Sequence, residues 1–92
     1  MHMIPSGIEF DPAKAAANLR KHGVSFADAA TVLNDPEALI AEDDAEDEPR
    51  YLAVGMDAMG RLLTVVYTLR GEHIRLISAR RATAREKAAY AQ

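Results

Sequence analysis

The spacing of apolar and polar positions changes character part-way along the chain, and that change divides it into helical and extended halves. Ile8-Glu9-Phe10 alternates briefly and reads as a short extended piece. Asp11-Pro12 follows, an N-cap residue with proline at the first helical position, where a missing N–H costs nothing. The spacing predicts a helix over Ala13–His22, closed by Gly23, with Arg20, Lys21 and His22 in the last turn where cations suit the helix dipole. Ser25-Phe-Ala-Asp28 is a capping-box variant opening a second helix. Phe26, Ala29, Ala30 and Leu33 recur at helical spacing, and Asn34-Asp35-Pro36 ends the segment.

Beyond residue 36 the period becomes that of strands. Ala38–Ala41 is a brief strand candidate, and Arg50–Met56 alternates with Leu52, Val54 and Met56 on one side. Asp57-Ala-Met-Gly60 is a turn. Arg61–Leu69 is β-branched and almost wholly apolar, which suits the centre of a sheet. After the turn Arg70-Gly-Glu72, strict alternation over His73–Ala79 sets Ile74, Leu76 and Ser78 against Arg75, Ile77 and Ala79. Thr83-Ala-Arg-Glu86 is a second capping box, opening a helix that runs to the C-terminus. The expected order is β-α-α-β-β-β-α with one further short strand at 38–41. That is a small α+β domain spanning residues 1–92, an antiparallel meander with helices on one face. The segment Met1-His2-Met3 carries no weight in this reading.

Ninety-two residues, 49% of them apolar, support one modest core. No cysteine is present, so no disulfide framework and no thiolate zinc site is available, which fits a cytoplasmic protein. No apolar run reaches the length of a membrane span, so no membrane partner is expected. The net charge is −3, but it is segregated. Glu42-Asp-Asp-Ala-Glu-Asp-Glu48 holds six carboxylates in seven positions and reads as a solvated loop. It lacks the glycine and distal glutamate of a calcium loop, so no metal is assigned to it. Residues 70–92 instead carry Arg70, Arg75, Arg80, Arg81, Arg85 and Lys87 against Glu72 and Glu86. Guanidinium groups match phosphate through paired hydrogen bonds, so this end points to nucleic acid.

The chemistry-bearing candidates follow from that patch, each beside a structural alternative. Arg75, mid-strand among apolar residues, is either a phosphate ligand or a stem whose head rests on a carboxylate. Arg80 and Arg81 occupy the strand-to-helix junction, where alternation sends only one of them toward Arg75. His22 is a general acid or base candidate beside Lys21, or simply a favourable residue at a helix end. Arg50 and Tyr67 lie on strands, where a tyrosine hydroxyl either assists proton transfer or packs. Glu86 is accounted for by its capping box. Tyr90 stacks on a base or pins the last helix to the sheet. No Ser/His/Asp or Cys/His set, metal-ligand spacing or nucleotide fingerprint is present, and no cofactor is expected. Basic groups, one proton carrier and a shaped surface suffice for RNA cleavage, in which the substrate's 2′-hydroxyl is the nucleophile.

Taken together, Glu9-Phe10-Asp11-Pro12, Lys14, Asn18, Lys21-His22-Gly-Val-Ser-Phe26, Ala29, Asp35-Pro36, Arg50, Gly55, Val65-Val66-Tyr67-Thr68 and the series Arg75, Ile77-Ser78-Ala79-Arg80, Ala82-Thr83, Glu86, Tyr90 resemble the BrnT toxin family. The resemblance implies a RelE/ParE-like fold and a type II toxin that cleaves RNA, arrests translation and is neutralised by a BrnA-like antitoxin. It further implies promoter DNA bound through the toxin–antitoxin complex, and a homodimer within that complex is compatible with it. The residues carried over are Lys21, His22, Arg50, Tyr67, Arg75, Arg80 and Arg81, the first six as catalytic; Arg81 is expected to bind RNA together with Arg70 and Arg85 of the basic end. Leu33 stands where an aromatic is common. Two other readings compete. One is a non-catalytic nucleic-acid-binding or complex-forming subunit, and the other is an inhibitor of a different target such as DNA gyrase.

Overall fold

The computed structural model describes residues 2–4, 7–43 and 49–92, and in them the chain runs β1 (His2–Ile4), β2 (Ile8–Phe10), α1 (Pro12–His22), α2 (Phe26–Val32), β3 (Leu39–Asp43), β4 (Arg50–Met56), β5 (Leu62–Arg70), β6 (His73–Arg81) and α3 (Ala84–Tyr90). The α+β class and the helix order are as expected. Three details differ. His2–Ile4 forms a strand that pairs antiparallel with β2, although so short a segment carries no periodic signal. The acidic run does not begin as a loop, because Glu42 and Asp43 extend β3 and pair with Tyr51 and Arg50. The rest of that run, 44–48, lies outside the described residues. The sheet is mixed rather than purely antiparallel: its order is β1-β2-β6-β5-β4-β3, and β2 lies parallel to β6.

Local caps set the helices. Asp11 accepts from the Ala13 N–H at 2.9 Å, and Gly23 takes the left-handed conformation (φ 70°) with its N–H on the Leu19 carbonyl. Ser25 accepts from the Asp28 N–H at 3.0 Å, but the Asp28 carboxylate turns to Arg61, also at 3.0 Å, and so does not complete a box. Asp57 receives the same guanidinium at 2.9 Å together with two backbone N–H groups. Burial raises the Asp57 pKa, but hydrogen bonds and charge from Arg61 outweigh it and hold the carboxyl low.

α1 and α2 cover one side of the sheet. Val24, Phe26, Ala29 and Val32 meet Ala53, Leu63, Val65, Leu76 and Ala79, all almost fully buried. Burial of a Val, Leu or Phe side chain contributes about 1.5–3 kcal/mol, so this layer holds the domain together. Phe10 meets Phe26 edge to face at 5.9 Å. The expectation of all helices on one face fails for α3. Val65 points into the α1/α2 core, so its neighbour Thr64 points the other way, and it is Thr64 that bonds Glu86 of α3. From there α3 reaches across to Asp35, whose carboxylate accepts from the Tyr90 hydroxyl at 2.6 Å. Tyr90 thus anchors the last helix.

Candidate active site

Strand β6 carries the arginines, and its register decides where they go. Val66 pairs with Ser78 and Tyr67 with Leu76, leaving Ile77 without a partner. This is a β-bulge: one extra residue on β6, which inverts the alternation on either side of it. Leu76 and Ala79 therefore both enter the core, joined by Ile74, while Arg75, Ser78 and Arg80 project from the opposite face. Strict alternation placed Ser78 with Leu76 and Ala79 with Arg75, and the bulge corrects both. Of the two junction arginines, Arg80 shares the face of Arg75. Arg81 lies opposite core-facing Leu63 and is exposed at the rim.

Each of the two arginines is held by a carboxylate. Arg75 Nε donates to Glu9 Oε1 at 3.0 Å across the parallel β2–β6 pair. Arg80 forms a two-pronged pair with Glu86, Nη1 to Oε1 at 2.8 Å and Nη2 to Oε2 at 3.1 Å. Glu86 Oε1 also accepts from the Thr83 N–H and the Thr64 hydroxyl, both at 2.8 Å. The Arg80 hydrogen bonds come first among the causes that bring the Glu86 carboxyl down to about 2, against the opposing effect of burial. The same contact raises the Arg80 guanidinium further. A carboxylate held so low is a poor proton acceptor near neutrality, so Glu86 orients Arg80 rather than moving protons. Its capping box is complete, but that box is only half of its role.

Among the described residues, the edge of β6 beyond the short strand β2 has no strand partner. Asn18 of α1, itself 6% exposed, takes that place. Its Oδ1 accepts from the Ala79 N–H at 3.0 Å, and its Nδ2 donates to the carbonyls of Ala79 (2.8 Å) and Val24 (3.0 Å). α1 is thereby pinned against the strand edge. An open groove of about 230 Å³ runs between them, lined by Lys14, Lys21, His22, Ile77 and Ser78 with Ala17 and Asn18. Ser78, which sits between Arg75 and Arg80 along β6, thus lines the same groove as Lys21 and His22.

Tyr67 does not join them. It is 8% exposed in the core, stacked on Tyr51 with ring centres 5.5 Å apart, and burial pushes its hydroxyl pKa upward. Its side chain is on the face opposite Arg75 and Arg80. Arg50 is on the arginine face, one residue before the core-facing Tyr51. Arg70 and Arg85 are exposed at the two ends of the strip, at the end of β5 and on α3. Among the described residues, no three His, Asp or Glu side chains come together as a metal site. No described helix is long and apolar enough to cross a membrane. Asn18, Ser78 and Glu9 escaped the sequence reading as site residues. All three stand inside the motifs quoted above, which was the available signal.

A family profile described as "Ribonuclease toxin, BrnT, of type II toxin-antitoxin system" matches residues 10–86, most of the chain. The chain belongs to the BrnT family. Among solved structures it is similar to the crystal structure of the Brucella abortus ribonuclease toxin BrnT. The TM-score is 0.67 and the identity 29%, over 83% of this chain and 95% of that one. No curated protein matches it. BrnT membership makes this a ribonuclease toxin of a type II toxin–antitoxin system, with RNA as substrate and an antitoxin as partner. The matched span takes in the groove, the bulge and both carboxylate-held arginines.

Proposed function

We propose that this BrnT-family chain cleaves RNA without a metal, by attack of a 2′-hydroxyl on the adjacent phosphate at Ser78. The O2′–P bond forms as the P–O5′ bond breaks, leaving a 2′,3′-cyclic phosphate and a free 5′-hydroxyl. His22 takes the 2′-hydroxyl proton, and the departing 5′-oxygen takes one from water, which the open groove admits. Arg80 stabilises the charge growing on the phosphoryl oxygens with Lys21 assisting, and Arg75, farther along the strip, holds the RNA strand in place. The supporting observation is the position of Ser78, shared by the arginine strip and the Lys21–His22 groove. Holding Arg80 on Glu86 fixes its geometry before substrate arrives, which is how such a group lowers a barrier rather than merely binds.

In this reading a BrnA-like antitoxin neutralises the toxin by covering the strip. The complex, containing a toxin homodimer, binds its promoter through the antitoxin, and the system works in the cytoplasm. Arg70, Arg81 and Arg85 guide the RNA backbone from the periphery. The second reading, a subunit that holds nucleic acid without cutting it, draws on the fact that both central arginines already have carboxylate partners.

Purified chain incubated with a labelled RNA oligonucleotide in excess EDTA decides between them. Fragments ending in a cyclic phosphate, abolished by 2′-O-methylation at the scissile position, are the expected result. Cleavage that requires a divalent ion, or that persists on the methylated substrate, would overturn the mechanism. A salt-dependent mobility shift without fragments would establish the second reading.

A further inference from the structure

We infer that Arg50, Thr68 and Arg75 form a second phosphate subsite, which holds a backbone phosphodiester of the RNA strand away from the bond being cut. The inference rests on the reading of RNA as substrate given above. It starts from a row of residues crossing five adjacent strands. Asp43 of β3 is opposite Arg50 of β4, Thr68 of β5 is opposite Arg75 of β6, and Arg75 is opposite Glu9 of β2. Arg50 immediately precedes Tyr51, whose pairing with Tyr67 carries the register on to Thr68. Their neighbours Tyr51, Tyr67, Ile74 and Ile8 all face the core, so the row lies on the opposite side.

Two polar atoms in the middle of this row are unsatisfied. Thr68 is 1% exposed, and its Oγ1 is buried with no hydrogen-bond partner among the described residues; the same holds for Arg50 Nε. Buried polar atoms are nearly always paired, and valine would fill the Thr68 position without leaving a hydroxyl stranded. Both unsatisfied groups are able to donate, and they stand on neighbouring strands of one face. Beside them Arg75 is tethered through Nε by Glu9, a contact that leaves its two terminal nitrogens to act elsewhere. Three donor groups, two of them cationic, call for an anionic ligand rich in oxygen.

The surrounding charges refine the choice. Asp43 and Glu9 close the row at its two ends, against two guanidinium groups within it. A singly charged phosphodiester is tolerated in that balance better than a doubly charged free phosphate. The row is also distinct from the Arg80 position. Thr68 and Thr64 mark the two on β5, and four residues of strand separate them by about 13 Å. One phosphate does not bridge that distance, so the two positions hold different phosphates of one strand and set its direction along β5 and β6.

Nitrogen-15-labelled protein titrated with a non-cleavable 2′-O-methyl oligonucleotide, and separately with inorganic phosphate, tests this. The Arg50 Nε–H and Thr68 resonances are expected to move saturably with the oligonucleotide and more weakly with phosphate. Thr68→Val is expected to weaken oligonucleotide binding about fivefold to tenfold. Arg50→Gln is expected to lower the salt dependence by about one counterion. Silence at Arg50 and Thr68, while Ser78 and Arg80 respond, would overturn the subsite, as would unchanged affinity in Thr68→Val. Cleavage of unmodified RNA by the same preparation separates the two readings. If cleavage is intact and the row silent, the subsite alone is refuted. If the row responds but nothing is cut, the cleavage reading falls and the anion site stands. If both are absent, both are refuted.

Discussion

The side chain of Asn18 holds both backbone groups of Ala79, accepting from its N–H and donating to its carbonyl. One amide thus does for the edge of β6 what a neighbouring strand would do, and it belongs to the helix that carries Lys21 and His22.

Asn18→Leu is expected to destabilise the fold by about 3 kcal/mol, because it strands buried backbone donors and acceptors that nothing else reaches. Chemical denaturation measures the loss. Hydrogen exchange at the Ala79 amide should rise more than at amides between β4 and β5.

Glu86 gives the fold an acid-sensitive lock. Its folded pKa is lowered, so its contribution is fully present above the ordinary value of 4.5 and is lost as pH falls toward about 2. At full strength such a displacement is worth ~3 kcal/mol. With the Arg80 side chain 37% exposed, solvent screening leaves about 1–2 kcal/mol. Glu86→Gln retains a capping acceptor but loses the charge. The difference in stability between parent and variant should therefore be largest near neutrality and vanish near pH 2. A difference that stays constant across the acid range would show that the cap, rather than the ion pair, is what matters.

Arg80→Ala is expected to reduce RNA cleavage by about 10²–10³-fold, and Arg75→Ala to act mainly through weaker RNA binding, read as a raised KM. Tyr67→Phe should leave it within about twofold, because the hydroxyl lies on the other side of the sheet. His22→Gln should lower cleavage by about 10²-fold or more if His22 carries the proton. A large loss in Tyr67→Phe with stability unchanged would mean that the site lies on the core-facing side.

A Cβ on Gly55 would sit 3.0 Å from the Ala38 Cβ, 3.0 Å from Val32 Cγ1 and 3.2 Å from Asp35 Oδ2. Gly55→Ala is accordingly expected to cost about 1–3 kcal/mol through overpacking, seen as a lower Tm. Since Asp35 also receives the Tyr90 hydroxyl, the C-terminal helix should loosen with it.

What the sequence makes legible is what neighbouring residues determine. Asp11-Pro12, Gly23 and the Thr83–Glu86 box mark helix ends through contacts a few positions apart, and each stands where its chemistry puts it. Residues distant in sequence decide the rest. The parallel pairing of Ile8 with Ile74, the Asn18–Ala79 contact and the placement of α3 all join segments far apart, and no local pattern announces them. Glu86 shows a different limit: its capping role was sufficient to explain it, so its grip on Arg80 went unread. For Arg75 the structural alternative, a head resting on a carboxylate, is what the fold contains, and that carboxylate is Glu9.

Ile77 makes the arginine strip a matter of counting as well as of composition. Arg75 and Arg80 are five positions apart, an odd interval that only the unpaired residue turns into a shared direction. Closing the bulge by a one-position slip of the register would keep every letter of the motif and still send one arginine into the hydrophobic layer. The motif is a surface only while Ile77 stays out of the ladder.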